Sequence, residues 1–212
     1  MPKLKIGVAL MRIYLVRHGL THWNHEFRYQ GHTDIELSPQ GIEQAFALKK
    51  RLKGEDIKAI FSSDLRRARQ TAEIINQEHN LEIQIDPALK EVNFGVWEGL
   101  TYQDLQQKYP EQLKIWKDTP HLLDIETGET FDSLMHRAIN FVNNIYNAYR
   151  KDNIIVVSHG GTIAAMICGL MNEPLKFMWT YKQKNAALNI IKRNNTKVVI
   201  ELLNDTSHLE LV

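Results

Sequence analysis

Cysteine is nearly absent: the chain of 212 residues holds one, Cys168. An internal disulfide is therefore excluded, and the usage fits a reducing compartment. Cys168 lies in an apolar, helix-patterned run from Thr162 to Leu170, which predicts buried packing rather than a reactive thiol. An excess of charge of one sign is lacking too. Lys and Arg number 26 against 25 Asp and Glu, a net charge of +1. That balance speaks against nucleic-acid binding driven by bulk electrostatics while leaving room for a small local anion pocket. No apolar run approaches the roughly 18 residues that span a bilayer. Ile6 to Met11 is too short for a secretory core, is cut by Arg12 and has no small-residue cleavage site. Repeats, low-complexity tracts and linkers are lacking as well. One domain over residues 1–212, cytoplasmic and without a membrane partner, is the expectation. Residues 1–10 precede the first strand and read as an extension that the fold need not include.

What is present alternates between strand and helix patterns. Ile13 to Val16 reads as a buried strand that runs into Arg17, His18 and Gly19. Ser38 and Pro39 supply an N-cap and first helical residue, followed by an apolar face of Ile42, Ala45, Phe46, Leu48 and Leu52, with Gly54 as the stop. Ile57–Phe61 is a second strand, and Ser62-Ser63-Asp64 reads as a capping cluster for the next helix. Leu81–Ile85 alternates as an edge strand should. Tyr102–Trp116 reads as helical pieces broken at Pro110. Phe131 to Tyr149 is the longest helical pattern, with Phe131, Leu134, Ala138, Phe141, Val142, Ile145 and Ala148 on one face. Asn153–Ser158 is a strongly β-branched strand ending in His159-Gly160-Gly161. Ala186–Ile191 and Lys197–Leu203 form a hairpin. The pattern predicts an α/β domain with a largely parallel sheet.

Two strand ends look alike. If they are parallel neighbours, His18 and His159 emerge at one sheet edge, where open α/β sheets bind ligands. Gly160 and Gly161 let the backbone approach a ligand, and a helix N-terminus favours an anion. Arg66, Arg67 and Arg69 open the helix after the second strand, and residues about 100° apart allow only one or two of them to face one pocket. Arg67 is the choice and Arg66 the reserve. Two imidazoles, Arg17 and one more guanidinium around a point suit a phosphate, whose oxygens guanidinium forks match.

With those residues in view, the chain resembles the histidine phosphatase superfamily, the phosphoglycerate mutase-like group, in its small bacterial phosphatase branch. The resemblance rests on Arg17-His18-Gly19, on Ser62 to Ala72, on Glu91-Val92-Asn93-Phe94-Gly95-Val96-Trp97-Glu98-Gly99 and on Ser158-His159-Gly160-Gly161, in the family order. It implies a three-layer α/β/α sandwich with a mostly parallel central sheet, and a phosphohistidine intermediate. It further implies His18 as nucleophile, Glu91 as general acid and base, and Arg17, Arg67 and His159 as the phosphate pocket. Asn24, Gln30, Gly31 and Gly160 fall where further substrate contacts are expected. No cofactor and no metal are implied.

The chemistry sets its own requirements. To attack phosphorus His18 must be neutral at the attacking nitrogen, which nearby guanidinium groups favour, and its other nitrogen needs an acceptor such as a local carbonyl. An alkyl leaving group needs a proton, so the surroundings of Glu91 or the substrate's charge must keep one there; Glu98 is the alternative acid. His18, His22, His25 and His32 have spacings that suit zinc, but a metal would occupy the proposed nucleophile. Trp23, Trp97, Trp116 and Trp179 read as packing or pocket walls. Three functions remain: a phosphomonoesterase, a mutase and a catalytically silent phosphate-binding module. The stretch Tyr102 to Thr130 is short, and Lys108, Lys114 and Lys117 alternate with acids, which favours hydrolysis of small phosphorylated metabolites over mutase chemistry. Phe94 stands where phosphoserine-type members resemble one another in carrying His, which predicts a more apolar pocket wall. Homodimer formation is left open, and no nucleic-acid partner is expected.

Overall fold

A computed structural model describes residues 10–210. The expected extension at 1–10 therefore lies, but for Leu10, outside the described residues. The chain runs β1 (Met11–Arg17), α1 (His22–His25), α2 (Pro39–Leu52), β2 (Ile57–Ser62), α3 (Arg66–Asn76) and β3 (Ile83–Ile85). It continues through α4 (Tyr102–Lys108), α5 (Pro110–Asp118), α6 (Phe131–Tyr146), β4 (Asn153–Ser158), α7 (Gly160–Met171), β5 (Leu188–Arg193) and β6 (Val198–Asp205), with short 3-10 turns between.

The strands form one sheet in the order β3-β2-β4-β1-β5-β6. β1, β2, β3 and β4 are parallel, and β5 runs antiparallel between β1 and β6. Side chains of the central strands alternate between two cores, which is why β1 and β4 read as unbroken apolar runs. Ile13, Leu15, Ile154 and Val156 pack with α6 and α7 on one face. Tyr14, Val16, Ile155 and Val157 pack with α2 and α3 on the other. The three-layer α/β/α expectation is met. β1 leads toward the α2 face and β4 toward the α7 face, so the crevice beyond their carboxyl ends opens at a point of divergence. The pairing Arg17↔Ser158 ends both strands level, and His18 N–H donates to the Ser158 carbonyl at 3.1 Å.

Close backbone contact positions the start of α2 beside this edge. A Cβ on Gly19 would lie 2.4 Å from the Gly41 carbonyl oxygen, and one on Gly41 would lie 2.0 Å from that of Leu20. Only glycine at both positions permits the approach. Ser38 caps α2 as expected, its Oγ accepting from Gly41 N–H at 3.1 Å.

Several local expectations fail for tertiary reasons. Ser62-Ser63-Asp64 does not cap α3: the N-cap is Leu65 with no side-chain cap bond. Instead Asp34, from a distant loop, accepts from Arg66 N–H at 2.7 Å and pairs with the Arg66 guanidinium at 3.1 Å. On α2, Ile42 and Phe46 stand exposed, and Ala47 joins the core in their place. α6 ends at Tyr146, leaving Ala148 outside the helix and exposed. Replacing Asp34 by Ala is expected to cost about 1 kcal/mol of stability by urea denaturation, the usual value of a lost cap. An unchanged midpoint would show that the cap contributes nothing.

Candidate active site

A cavity of about 200 Å³ opens beyond the ends of β1 and β4. Arg17, His18, Arg67, Glu91, Gly160 and Gly161 form its inner end, and Asn24, Gln30 and Gly31 join its wall. The structure thus gathers at one cavity all but one of the residues expected from sequence.

His18 is 3% exposed and its Nδ1 lies 2.7 Å from the Gly19 carbonyl oxygen. A carbonyl only accepts, so Nδ1 carries the proton and Nε2 keeps its lone pair. Burial, then the Arg67 and Arg17 cations, hold its pKa well below 6.5. The local acceptor expected from sequence is present in the adjoining residue.

The guanidinium groups are unusual in what they lack. Among the described residues, neither Arg17 nor Arg67 has a carboxylate within ion-pairing distance. Arg67 is 1% exposed and donates to three neutral acceptors: the Gly31 carbonyl (2.7 Å), the Thr33 carbonyl (2.9 Å) and His159 Nδ1 (3.2 Å). Burial lowers its pKa to about 10, so it remains charged at neutral pH. Arg17 NH1 donates to the Gln183 carbonyl at 2.7 Å, while its buried Nε has no partner. Of the other two arginines, the reserve Arg66 is turned outward to Asp34 and Arg69 to Glu73. Buried cations without an ion-paired carboxylate are costly; Glu91 acts on both only from beyond ion-pairing distance, so the pair favours a bound anion.

His159 is the exception. It is fully buried and does not reach the cavity wall. Its Nδ1 accepts from Arg67, so the proton sits on Nε2, which donates to Ser63 Oγ at 2.9 Å. Burial first, then Arg67, lowers its pKa well below 6.5. The ring lies behind both partners, its centroid 5.1 Å from that of His18. In this geometry it supports Arg67. Ser63, read as a cap, is the anchor of that imidazole.

Glu91 sits at the N-terminus of α7. Oε2 accepts from Gly161 N–H (2.9 Å), and Oε1 accepts from Thr162 N–H (3.0 Å) and Val92 N–H (3.0 Å); Thr162 Oγ lies 3.2 Å from Oε1 but gives its one proton to the Lys90 carbonyl at 2.7 Å. A Cβ on Gly161 would lie 2.7 Å from Oε1, so a side chain there would displace the carboxylate. Three backbone N–H groups thus fix both carboxyl oxygens of Glu91 in place. Glu98, the alternative acid, is tied to the backbone N–H groups of His32 (2.7 Å), Thr33 (2.7 Å) and Phe94 (3.2 Å) and to the Thr33 hydroxyl. It buckles the 31–33 loop and is absent from the cavity wall.

Asn24 Oδ1 is committed to Thr21 and to Asn185 Nδ2 at 3.1 Å, whereas the buried Gln30 Oε1 has no partner. His22 and His25 are exposed on α1, and His32 Nε2 donates to the Glu91 carbonyl at 2.9 Å. Among the described residues no three His, Cys, Asp or Glu side chains group as metal ligands would, and no helix is long and apolar enough to cross a membrane. Cys168 is buried and unpaired, and burial raises its thiol pKa to about 11.

The outer wall is aromatic: Tyr29, Phe94, Trp116 and Trp179 line it, with Arg28 and the exposed Lys182 at the mouth. Trp116 meets Trp179 edge-on at 4.6 Å and Phe94 at 5.5 Å between centroids. The four Trp residues were expected as packing or pocket walls, of which Trp116 and Trp179 line the cavity and Trp97 is buried in the core, and Phe94 was expected as a wall. Tyr29, Arg28, Lys182 and Gln183 were not, because they lie in irregular segments where no period marks a face.

Comparison with known proteins agrees with this arrangement. The family model of the histidine phosphatase superfamily (branch 1) matches residues 13–206. "Phosphoserine phosphatase 1" of Hydrogenobacter thermophilus is 33% identical, covering 94% of this chain and 95% of its own. The "Adenosylcobalamin/alpha-ribazole phosphatase" of Escherichia coli is also 33% identical, over 92% of this chain and 96% of its own. The solved structure of Bacillus stearothermophilus YhfR superposes with a TM-score of 0.89 at 30% identity, covering 94% of this chain and 99% of that one. A buried imidazole fixed in one tautomer between two unpaired guanidinium groups, and a match along nearly its whole length, make this chain a member of the histidine phosphatase superfamily.

Proposed function

We propose that the protein hydrolyses small phosphomonoesters through a phosphohistidine on His18, as a single domain and without a metal. The observation that carries this reading is the pair of buried guanidinium groups without a carboxylate, set beside an imidazole whose Nε2 lone pair is free. His18 Nε2 attacks phosphorus, and the bond to the ester oxygen breaks. Arg17, Arg67 and the Gly160 N–H hold the equatorial oxygens, where electrostatic stabilisation is greatest in the transition state. Glu91 delivers a proton to the leaving oxygen. The second half runs in reverse: water attacks phosphorus, Glu91 takes the proton and the P–N bond breaks. The proton that Glu91 delivers enters the pocket with the substrate as its monoanion.

Hydrolysis is preferred to mutase chemistry because Lys108, Lys114 and Lys117 do not line the cavity; Lys117 lies instead over the Tyr102 ring at 4.7 Å. The aromatic wall with Phe94 favours substrates with an apolar flank over phosphoserine. The likeness of named relatives supports phosphatase activity, and Cys168 as a free thiol fits a cytoplasmic enzyme.

A screen of phosphorylated metabolites for phosphate release, with a chelator present and with 2- and 3-phosphoglycerate interconversion followed in parallel, tests the function. Release by the wild type that His18→Ala reduces to background is expected; interconversion without release would replace this reading with the mutase. The state of the imidazoles is checked by nitrogen-15 NMR. At pH 6.5, where a free imidazole is half-protonated, His18 and His159 should both be neutral. Since their folded pKa values lie below the unfolded one, stability is complete above about pH 6.5 and is lost as the pH falls below it. Titration of His18 at or above 6.5 would contradict the assignment.

A further inference from the structure

Residues 88–91 carry Glu91 to the cavity yet belong to neither a helix nor a strand beyond the turn ending at Leu89. Their carbonyl groups are nevertheless all accounted for, and by side chains. Leu89 is held by Ser158 Oγ at 2.7 Å, Lys90 by Thr162 Oγ at 2.7 Å and Glu91 by His32 Nε2 at 2.9 Å. The remaining bonds come from Arg137, which lies on α6 and does not line the cavity. Its NH1 donates to the Ala88 and Lys90 carbonyls, both at 2.7 Å, and its NH2 to the Glu91 carbonyl at 2.8 Å. Nε and NH2 also form a two-pronged pair with Glu129, both at 2.8 Å. A guanidinium has five N–H donors, and here all five are used.

We propose that Arg137 is a positioning residue for the reaction, fixing the backbone at Glu91 so that its carboxyl group meets the leaving oxygen. This rests on Glu91 being the acid. Two features separate Arg137 from an ordinary surface ion pair. Glu129 orients the fork, because its two oxygens fix the plane of the guanidinium. The other three donors then act on the main chain of the segment that bears Glu91. Lysine, with three donors and no plane, cannot meet five acceptors of that geometry. Arg137 and His32 share one acceptor, the Glu91 carbonyl, so α6 and the 31–33 loop grip the acid from two directions. A displacement of about 1 Å at a reacting group costs up to 10²-fold in rate, and an acid contributes about 10²–10⁴-fold.

The test compares kcat/KM, which reports phosphoryl transfer to His18, for ethyl phosphate and p-nitrophenyl phosphate. The second has a leaving group that needs little protonation. Glu91→Gln is the reference and should lose far more on ethyl phosphate. Arg137→Met should show the same selective pattern, about 10-fold or more on ethyl phosphate against less than about 3-fold on p-nitrophenyl phosphate. The double variant should be no worse than Glu91→Gln, since both changes remove one function. Arg137→Lys, the milder change, should show the pattern at smaller amplitude and serves if Arg137→Met does not fold. Equal losses on both substrates from the Arg137 variants, or losses that multiply in the double variant, would reduce Arg137 to a structural staple and leave the proposed function intact. Equal losses from Glu91→Gln itself would overturn the acid role and this proposal together.

Discussion

Two buried guanidinium groups without a carboxylate partner govern the arrangement of this site. Arg17 and Arg67 reach it from β1 and α3, and the main-chain carbonyls of Gly31, Thr33 and Gln183 supply partial charge but no full counter-charge. Placing unpaired cations in a poorly solvated crevice is unfavourable by several kcal/mol per ion, a cost that a bound phosphoryl group removes. Burial first, and then these same cations, keep His18 and His159 neutral, since a positive imidazole would lose its solvation and add a third or fourth like charge. Anion affinity and nucleophilicity therefore share a contribution from these cations. His159 completes the arrangement from below, an uncharged acceptor for Arg67 Nε that an ionised side chain could not replace without cancelling the field.

The acid is treated differently. Glu91 rests on the N-terminus of α7 within a loop held almost entirely by side-chain bonds to carbonyls, from Ser158, Thr162, His32 and Arg137. A helix or strand would fix such a segment through its own ladder; here four other elements fix it. Glu98 does for the 31–33 loop what Arg137 does for 88–91, using a carboxylate to gather N–H groups where Arg137 gathers carbonyls. The two loops meet where His32 donates to Glu91.

The parts of this design that are local in sequence were legible there. An apolar run ending in Arg17-His18-Gly19, and a second ending in Ser158-His159-Gly160-Gly161, announce two strand ends, and register did the rest. Helical phase limited the arginines that face the pocket to one or two, with Arg67 chosen and Arg66 in reserve. The misreadings have one cause in common: a local signal lost to a distant partner. Ser63 has the chemistry of a cap, but His159 uses it, and Asp34 from another loop caps α3. Ile42 and Phe46 fit the period of α2, yet the helix leans on Ala47 instead. Arg137 and Glu129 drew no reading from the sequence, since nothing in their spacing connects them to Glu91.

The claim on which the account depends is that the anion these cations await becomes bonded to His18. Rapid mixing with a phosphomonoester, a denaturing alkaline quench and peptide mass spectrometry would measure this directly. The account predicts a transient phosphoryl group, stable in base and lost in acid, on the peptide that contains His18. Turnover with no such adduct, or an adduct on another residue, would contradict it.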